Sequence, residues 1–372
     1  MKKVNGHEII QLFEQFSPPS YAMEGDKIGL QIGRLNQPVK RVLVALDVLE
    51  EVVDEAIEKD VQLIIAHHPP IFRPLKSIRT DQPNGRIIEK LLQHRIAVYA
   101  AHTNLDVAKG GVNDLLAEAL ELQNTKVLVP TYEEDLRKLA VFVPKENEEE
   151  IRKALGNAGA GFIGEYSNCS FSTDGTGRFL PEEKANPHIG SIGTLEEVQE
   201  VKIETIYPKR IEKKVLSAMF KAHPYEEVAF DLYPLENKGE VLGLGRIGIL
   251  KESMTLEQFA HHVKEKLSVQ GVRVVGHLQD KIQKVAVLGG DGNKYFHSAK
   301  FKGADVYVTG DMYYHVAHDA MMEGLNIVDP GHNVEKVMKQ GVAKKMQTMS
   351  TEKGYEVEFI SSTVHTDPFT FL

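Results

Sequence analysis

The sequence predicts an α/β protein: a core of two α/β halves with mostly parallel sheets, interrupted by an inserted ferredoxin-like domain. Three observations carry this. Short apolar runs alternate with amphipathic helical segments toward both ends of the chain, the pattern of right-handed strand–helix–strand units. Between about Val127 and Pro234 the order changes to strand, helix, two strands, helix, strand. The polar residues placed at strand ends by the two outer parts also form one complementary set.

Asn5–Phe16 carries Ile9, Ile10, Leu12, Phe13 and Phe16 at helical spacing, and Ser17-Pro18-Pro19 stops it. Gly25–Gly33 (G-D-K-I-G-L-Q-I-G) is a glycine-punctuated turn and strand. Arg41–Asp47 (R-V-L-V-A-L-D) is a strand, and Leu49–Lys59 is a helix with Val52, Val53, Ala56 and Ile57 inward. Val61–Phe72 (V-Q-L-I-I-A-H-H-P-P-I-F) is a buried strand ended by two prolines, which cannot donate to a ladder. His67 and His68 therefore lie at the carboxyl end of a parallel strand, the edge where open α/β sheets place ligands. Taken alone, the stretch reads equally as two histidines capping a strand or as ligands of two adjacent metal ions. A helix over Asn84–His94 and a strand over Ile96–Ala101 follow. That strand ends in His102-Thr103-Asn104-Leu105-Asp106, and Gly110–Asp114 opens a helix through Leu122. A buried Asp106 there is costly unless it is paired or metal-bound, and it is a natural bridging ligand. His102 is either a further ligand or a support for Asp106.

The middle segment reads as a strand (Leu136–Val143), a helix (Asn147–Ala158), a glycine- and serine-rich run (Gly159–Gly193), a strand (Val201–Tyr207), a helix (Lys209–His223) and a strand (Val228–Tyr233). This divides the chain into 1–127 and 245–372, two halves of a metal-binding α/β domain, around an insert at 128–244. The alternative is one continuous sheet.

Gly243–Gly248 returns the chain to the first domain, and Thr255–Leu267 is a helix whose His261-His262 reads as a solvated face. Ile282–Leu288 is a strand running into Gly289-Gly290-Asp291-Gly292, with a helix from Asn293. This is the composition of a backbone anion nest, although a tight turn alone asks for the same glycines. Ala304–Thr309 is a strand ending in Gly310-Asp311, followed by a helix with His315 and His318 one turn apart. Leu325–Val328 ends in Asp329–Glu335 (D-P-G-H-N-V-E), where His332 and Glu335 share a helical face. Four strand ends thus carry candidate ligands: His67 and His68, Asp106, Asp311, and His332 with Glu335. They meet only if both halves build one core. Three histidines and two carboxylates, with Asp106 bridging, suit two divalent ions. Such a set favours zinc, with iron or manganese as alternatives, over calcium.

Composition narrows the function classes. A formal charge of −9 and a pI near 5.9 argue against indiscriminate binding to nucleic acid or an anionic membrane. The single cysteine, Cys169, rules out an intrachain disulfide and a cysteine-based zinc knuckle. The amino-terminal stretch has neither the charge pattern of a signal peptide nor the apolar length of a span, so a cytoplasmic location is expected.

The motifs A-H-H-P-P-I-F, H-T-N-L-D, T-G-D-M-Y-Y-H and D-P-G-H-N-V-E, in this order, resemble those of the Nif-three-like family, also labelled the GTP cyclohydrolase I type 2 family. G-D-K-I-G-L-Q-I-G resembles its amino-terminal signature, with Lys27 where asparagine is usual. The resemblance covers about 1–127 and 245–372. It implies metal ligands at His67, His68, Asp106, His332 and Glu335, with His102, Asp311 and His315 nearby. Many members space the last His and Glu by four residues; here the spacing is three. The insert resembles the PII/CutA-like domain of longer members, and the family implies a toroidal homohexamer with metal sites facing an inner cavity.

Two function classes follow. One is a metal-dependent hydrolase of a nucleotide or related phosphate compound, with metal-bound hydroxide as nucleophile. The cyclohydrolase label implies opening of the GTP imidazole ring with formate released. In that reading His102 or His315 is the proton shuttle. The other is a non-catalytic regulatory or metal-handling hexamer whose insert senses a ligand.

Overall fold

The structure, a computed structural model, describes residues 2–372. Residues up to Tyr132 together with Leu242–Leu372 form one compact unit, and Glu133–Val241 forms a second. The fold is mixed α/β.

In the first unit, a five-stranded sheet has the order Glu358–Ser361, Arg41–Ala45, Leu63–Ala66, Ala97–Ala100 and Gly29–Ile32. The first four strands are parallel, and Gly29–Ile32 closes the edge antiparallel. Leu63–Ala66 and Ala97–Ala100 are buried at every position, as expected of parallel strands covered on both faces. The helices Gly6–Phe16, Glu50–Glu58 and Pro83–Gln93 replace the predicted segments to within two residues. The first opens with a reciprocal cap: Asn5 accepts from the Glu8 N–H, and Glu8 accepts from the Asn5 N–H.

The second sheet of this unit carries Arg273–Val275, Asn326–Asp329, Val306–Gly310 and Lys281–Asp291, followed by the later part of the long strand Phe230–Thr255, where Arg246 lies opposite Val287. The three central strands are in parallel or antiparallel register as their connections dictate: Asn326–Asp329, Val306–Gly310 and Lys281–Asp291 run parallel, and the two flanking strands antiparallel. One apolar core joins both sheets. Val44 and Ile65 from the first meet Val287 and Val308 from the second through Leu116, Met338, Val342 and Met346 of the helices Val112–Ala119 and Val337–Glu352. The carboxyl ends of parallel strands in both sheets therefore belong to one packed body, although His68 and Glu335, which meet there, are 267 positions apart in sequence.

In the second unit the strand order is Phe230–Thr255, Gln123–Pro144, Glu196–Pro208 and Phe171–Phe179, each long strand contributing the part that lies within Glu133–Val241. The helices Glu148–Ala158 and Glu212–Ala222 pack on it through Ile151, Leu155, Val215 and Met219, against Leu139, Val141, Val201 and Ile203. Two strands run well beyond their predicted extents. Phe171–Phe179 lies in the stretch read as a glycine- and serine-rich run; its exposed positions, interrupted by Gly175 and Gly177, show no apolar period. Among the described residues no helix is long and apolar enough to cross a membrane. His262 departs from the solvated reading: its Nε2 lies 3.2 Å from the Leu120 carbonyl oxygen, and its ring stacks on Phe259.

Glu55 fixes how the chain leaves the last strand. Its carboxylate accepts from the Ser362 hydroxyl (2.6 Å), the Thr363 N–H (2.9 Å) and hydroxyl (2.7 Å), and the Lys59 ammonium (2.7 Å). Burial alone would raise this carboxyl; the donors outweigh it and hold it down to about 2. A depressed carboxylate contributes its stability above the ordinary value of 4.5 and loses it as pH falls toward 2. Glu55→Ala is expected to lower unfolding stability by about 2 kcal/mol at neutral pH. The deficit relative to wild type should shrink between pH 4.5 and 2 in denaturant titrations. A constant deficit across that range would contradict the assignment.

Candidate metal centre

The parallel strands of both sheets stop at one edge and deliver their polar ends to it. Leu63–Ala66 ends in His67 and His68. Ala97–Ala100 ends in His102, which caps a short helix, Thr103–Val107, that carries Asp106. Asn326–Asp329 ends in a turn through Gly331 (φ 84°) to a 3₁₀ helix, His332–Lys336, that carries Glu335. Three residues make a full turn of a 3₁₀ helix, so positions i and i+3 eclipse. This is why a three-residue spacing brings His332 Nε2 within 3.2 Å of Glu335 Oε2.

Each of the four imidazoles gives its Nδ1 to an oxygen. For His67 it is the Ala101 carbonyl (2.9 Å), for His68 Asp47 (2.6 Å), for His102 Asp26 (2.8 Å) and for His332 Asp311 (2.7 Å). A carbonyl or carboxylate oxygen only accepts, so every Nδ1 carries the hydrogen and every neutral ring offers its Nε2 lone pair. The Nε2 atoms and the carboxylates of Asp106 and Glu335 form three overlapping groups: His67, His68 and His102; His68, His332 and Glu335; His67, Asp106 and Glu335. Within each group the donor atoms lie within 4.8 Å of one another. His67 is fully buried, yet its Nε2 has no hydrogen-bond partner, and neither has Asp106 Oδ1, 3.7 Å away. Two orphaned buried donor atoms facing each other are what a metal site leaves when only its protein part is counted. The donor set fits a borderline divalent cation.

Glu335, rather than Asp106, is the carboxylate shared by two of the groups. Its Oε2 lies 3.6 Å from His67 Nε2 and 3.0 Å from His68 Nε2. Burial would raise the Glu335 carboxyl, but the surrounding imidazoles, His67 foremost, overcome this and hold it well below the usual carboxylate range. Burial dominates at Asp106 and pushes it up to about 6 despite the nearby His67.

All five predicted metal ligands and His102 come together here. His315 does not. It is exposed on the helix Tyr314–Met322, its ring lies against Tyr314, and it is absent from the cavity lining. The turn after Val306–Gly310 carries Asp311, in the left-handed region (φ 53°), to His332 and sends the following helix away. Asp311 thus orients an imidazole and stands in none of the donor groups. Two carboxylates escaped sequence reasoning as site residues: Asp47, which orients His68, and Asp26, which orients His102 and accepts from the Thr103 N–H. Asp47 follows the strand Arg41–Ala45 at the same sheet edge, so the strand-end rule would have found it.

The glycine run does not act as a free anion nest. The strand continues through Asp291, and the Gly289 N–H donates to Asn113 Oδ1 at 3.0 Å. Asn113 Nδ2 in turn donates to the Asp106 carbonyl at 3.0 Å, tying the two sheets together under the donors. A Cβ on Gly290 (φ 64°) would lie 2.8 Å from Glu335 Oε1, so the glycine makes room for this carboxylate. The cluster opens into a cavity of about 750 Å³.

Against burial, which would lower it, the carboxylates of Asp47 and Glu335 raise the His68 imidazole to about 10. Glu335 likewise raises His332, to about 9. A metal at Nε2 competes with those protons. Metal uptake at pH 7 is therefore expected to release protons, and affinity should fall as pH is lowered. Titration with zinc in weakly buffered indicator solution measures both; uptake without proton release would contradict the arrangement.

Comparison with known proteins places these features in a wider set. A family model described as Duf34/NIF3 (NGG1p interacting factor 3) matches residues 4–368. A Bacillus subtilis protein named GTP cyclohydrolase 1 type 2 homolog is 66% identical over 371 residues, covering 100% of both chains. A Listeria monocytogenes protein of the same name is 50% identical over 372 residues, again covering 100% of both. Among solved structures, a Bacillus cereus protein related to NIF3 superposes with a TM-score of 0.96 at 66% identity, and Staphylococcus aureus protein SA1388 with 0.78 at 34%. Each covers 100% of both chains.

Proposed function

The chain belongs to the Duf34/NIF3 family, and from that membership and the site geometry we propose that it is a metal-dependent hydrolase acting on the heterocycle of a nucleotide-type compound. The observation that carries the reading is the convergence of His67, His68, Asp106, His332 and Glu335, with two buried donor atoms that no protein group satisfies. These five side chains would hold two divalent ions, zinc being the first choice. Bound metal would supply hydroxide near neutral pH, by lowering the pKa of a coordinated water to about 7. The chain's own groups do the rest. Asp47, Asp311 and the Ala101 carbonyl hold the ligand imidazoles in one tautomer and one orientation. His102, fixed by Asp26, presents an Nε2 that can accept a proton at the mouth of the cluster and return it to the leaving group. The names of the relatives support the choice of a nucleotide heterocycle.

The metal-handling, non-catalytic reading draws on the second compact unit, which contains none of these donors. Its strand and helix order supports a ferredoxin-like, PII/CutA-like insert, and the family resemblance alone is what supports a closed, cytoplasmic homohexamer.

The full chain, loaded with zinc or manganese and given a panel of nucleotides and nucleosides, is expected to release a ring-opened product. Asp106→Asn should lose metal and activity together. His102→Asn should keep its metal, counted by elemental analysis, while turnover falls ~100-fold. A fully loaded wild-type protein that turns over nothing in the panel would favour the metal-handling reading.

A further inference from the structure

The wall of the cavity bears on what can enter it. Six carboxylates line it: Asp47, Asp106, Asp291, Asp311, Glu335 and Asp367. No lysine or arginine does. Lys336 and Lys339 lie close enough to act on Asp367 and Asp47, but neither opens onto the wall: their ammonium groups donate to the Ser268 carbonyl at 2.8 Å and the Val364 carbonyl at 3.0 Å. Two divalent ions would offset four of the six negative charges, and the wall itself offers a phosphate no cationic side chain. In the glycine turn on the lining, the Gly289 N–H is taken by Asn113 Oδ1. The outer part of the cavity is aromatic instead. Phe72 and Phe369, 60% and 67% exposed, are on its lining, and Tyr295, half-buried, is on it too. Large exposed rings at the mouth of a polar pocket offer stacking area to a flat partner.

We infer that the site takes an uncharged or cationic planar heterocycle, a nucleoside or free base, and selects against its polyphosphate form. A phosphate chain carries several negative charges into a low-dielectric cleft of the same sign, and repulsion of that kind is a selectivity device in its own right. A neutral nucleoside meets no such penalty. Its ring stacks on Phe72 or Phe369, and its ring-edge donors find Asp291 or Asp367. Asp291 is tied to Tyr313 and Asn293, and Asp367 accepts from the Phe369 N–H, so both are held in place. The inference deepens the hydrolase reading by naming its substrate class, but it is tested on binding alone.

Equilibrium dialysis of the zinc-loaded full chain, at fixed free zinc, compares guanosine, GMP and GTP. Affinity is expected to fall with each added phosphate, with guanosine bound about tenfold or more tightly than GTP. The double variant Asp291→Asn with Asp367→Asn should narrow that gap. Phe369→Ala should weaken guanosine about fivefold while retaining its zinc. GTP bound as tightly as guanosine, neither bound at all, or a gap unchanged in the double variant would each overturn the inference. A protein that shows the expected affinity order but hydrolyses nothing overturns the hydrolase reading and leaves the ligand class standing.

Discussion

Every feature of the candidate metal centre depends on one repeated interaction: an imidazole Nδ1–H donated to a fixed oxygen. It occurs at His67, His68, His102 and His332, and each acceptor comes from a different strand end or turn. The bond does two things at once. It sets the tautomer, which turns Nε2 into a lone-pair donor, and it removes the ring's rotational freedom, so four such atoms meet in one place. Without it, the buried Glu335 and Asp106 carboxylates would face an arbitrary set of ring edges, and an unpaired buried charge costs several kcal/mol. The oxygen acceptors are as much a part of the site as the ligands.

The second constraint is the contact between the two sheets. The donors come from strand ends of both, so the core formed by Val44, Ile65, Val287 and Val308 must assemble before the site exists. Asn113 makes the junction specific. Buried on the helix Val112–Ala119, it bonds the Asp106 carbonyl with its amide hydrogens and the Gly289 N–H with its oxygen. An apolar residue there would leave two backbone groups unsatisfied, one on each side of the site. Close approach is completed by unusual backbone rather than by side chains. Gly290 yields the space that Glu335 fills, and Asp311 accepts a left-handed conformation to reach His332, a cost of order 1 kcal/mol or more that the surrounding packing must offset.

Much of this was legible in the sequence, for a physical reason. Parallel strands are short and uniformly apolar, so a polar residue immediately after one stands out and its position on the sheet edge follows from the topology alone. His67, His68, Asp106, His332 and Glu335 were visible in this way. Asp47 obeys the same rule but was read only as the last residue of the strand Arg41–Asp47, because a carboxylate that serves an imidazole carries no spacing signature. Asp26 lies on the turn before the edge strand Gly29–Ile32, and only three-dimensional proximity links it to His102. His315 shows the limit of reading by motif: adjacency to a strand end places a residue near the edge, but the phase of the following helix decides where its side chain goes. The three-residue spacing of His332 and Glu335 needed the 3₁₀ geometry to make sense. In the middle segment, the exposed hairpin strand Phe171–Phe179 buries nothing and so leaves no hydrophobic period to detect.

The carboxyl-terminal residues connect stability to the site through direct contacts. Glu55 holds Ser362 and Thr363 as the chain leaves its last strand. Three residues on, the Thr366 hydroxyl donates to Asp47, and Asp47 accepts the Nδ1–H of His68. Asp47 is itself held below its ordinary value, because His68 and Thr366 outweigh its burial, so it stays a strong acceptor. The sequence of contacts is continuous: helix, terminal strand, tail, acceptor, ligand. Asp367 and Phe369 extend the same tail across the cavity wall. The tail thereby places a hydroxyl on the carboxylate that orients His68. Its path is set at Glu55, so the geometry of His68 inherits the precision of an ordinary buried hydrogen-bond network rather than requiring one of its own.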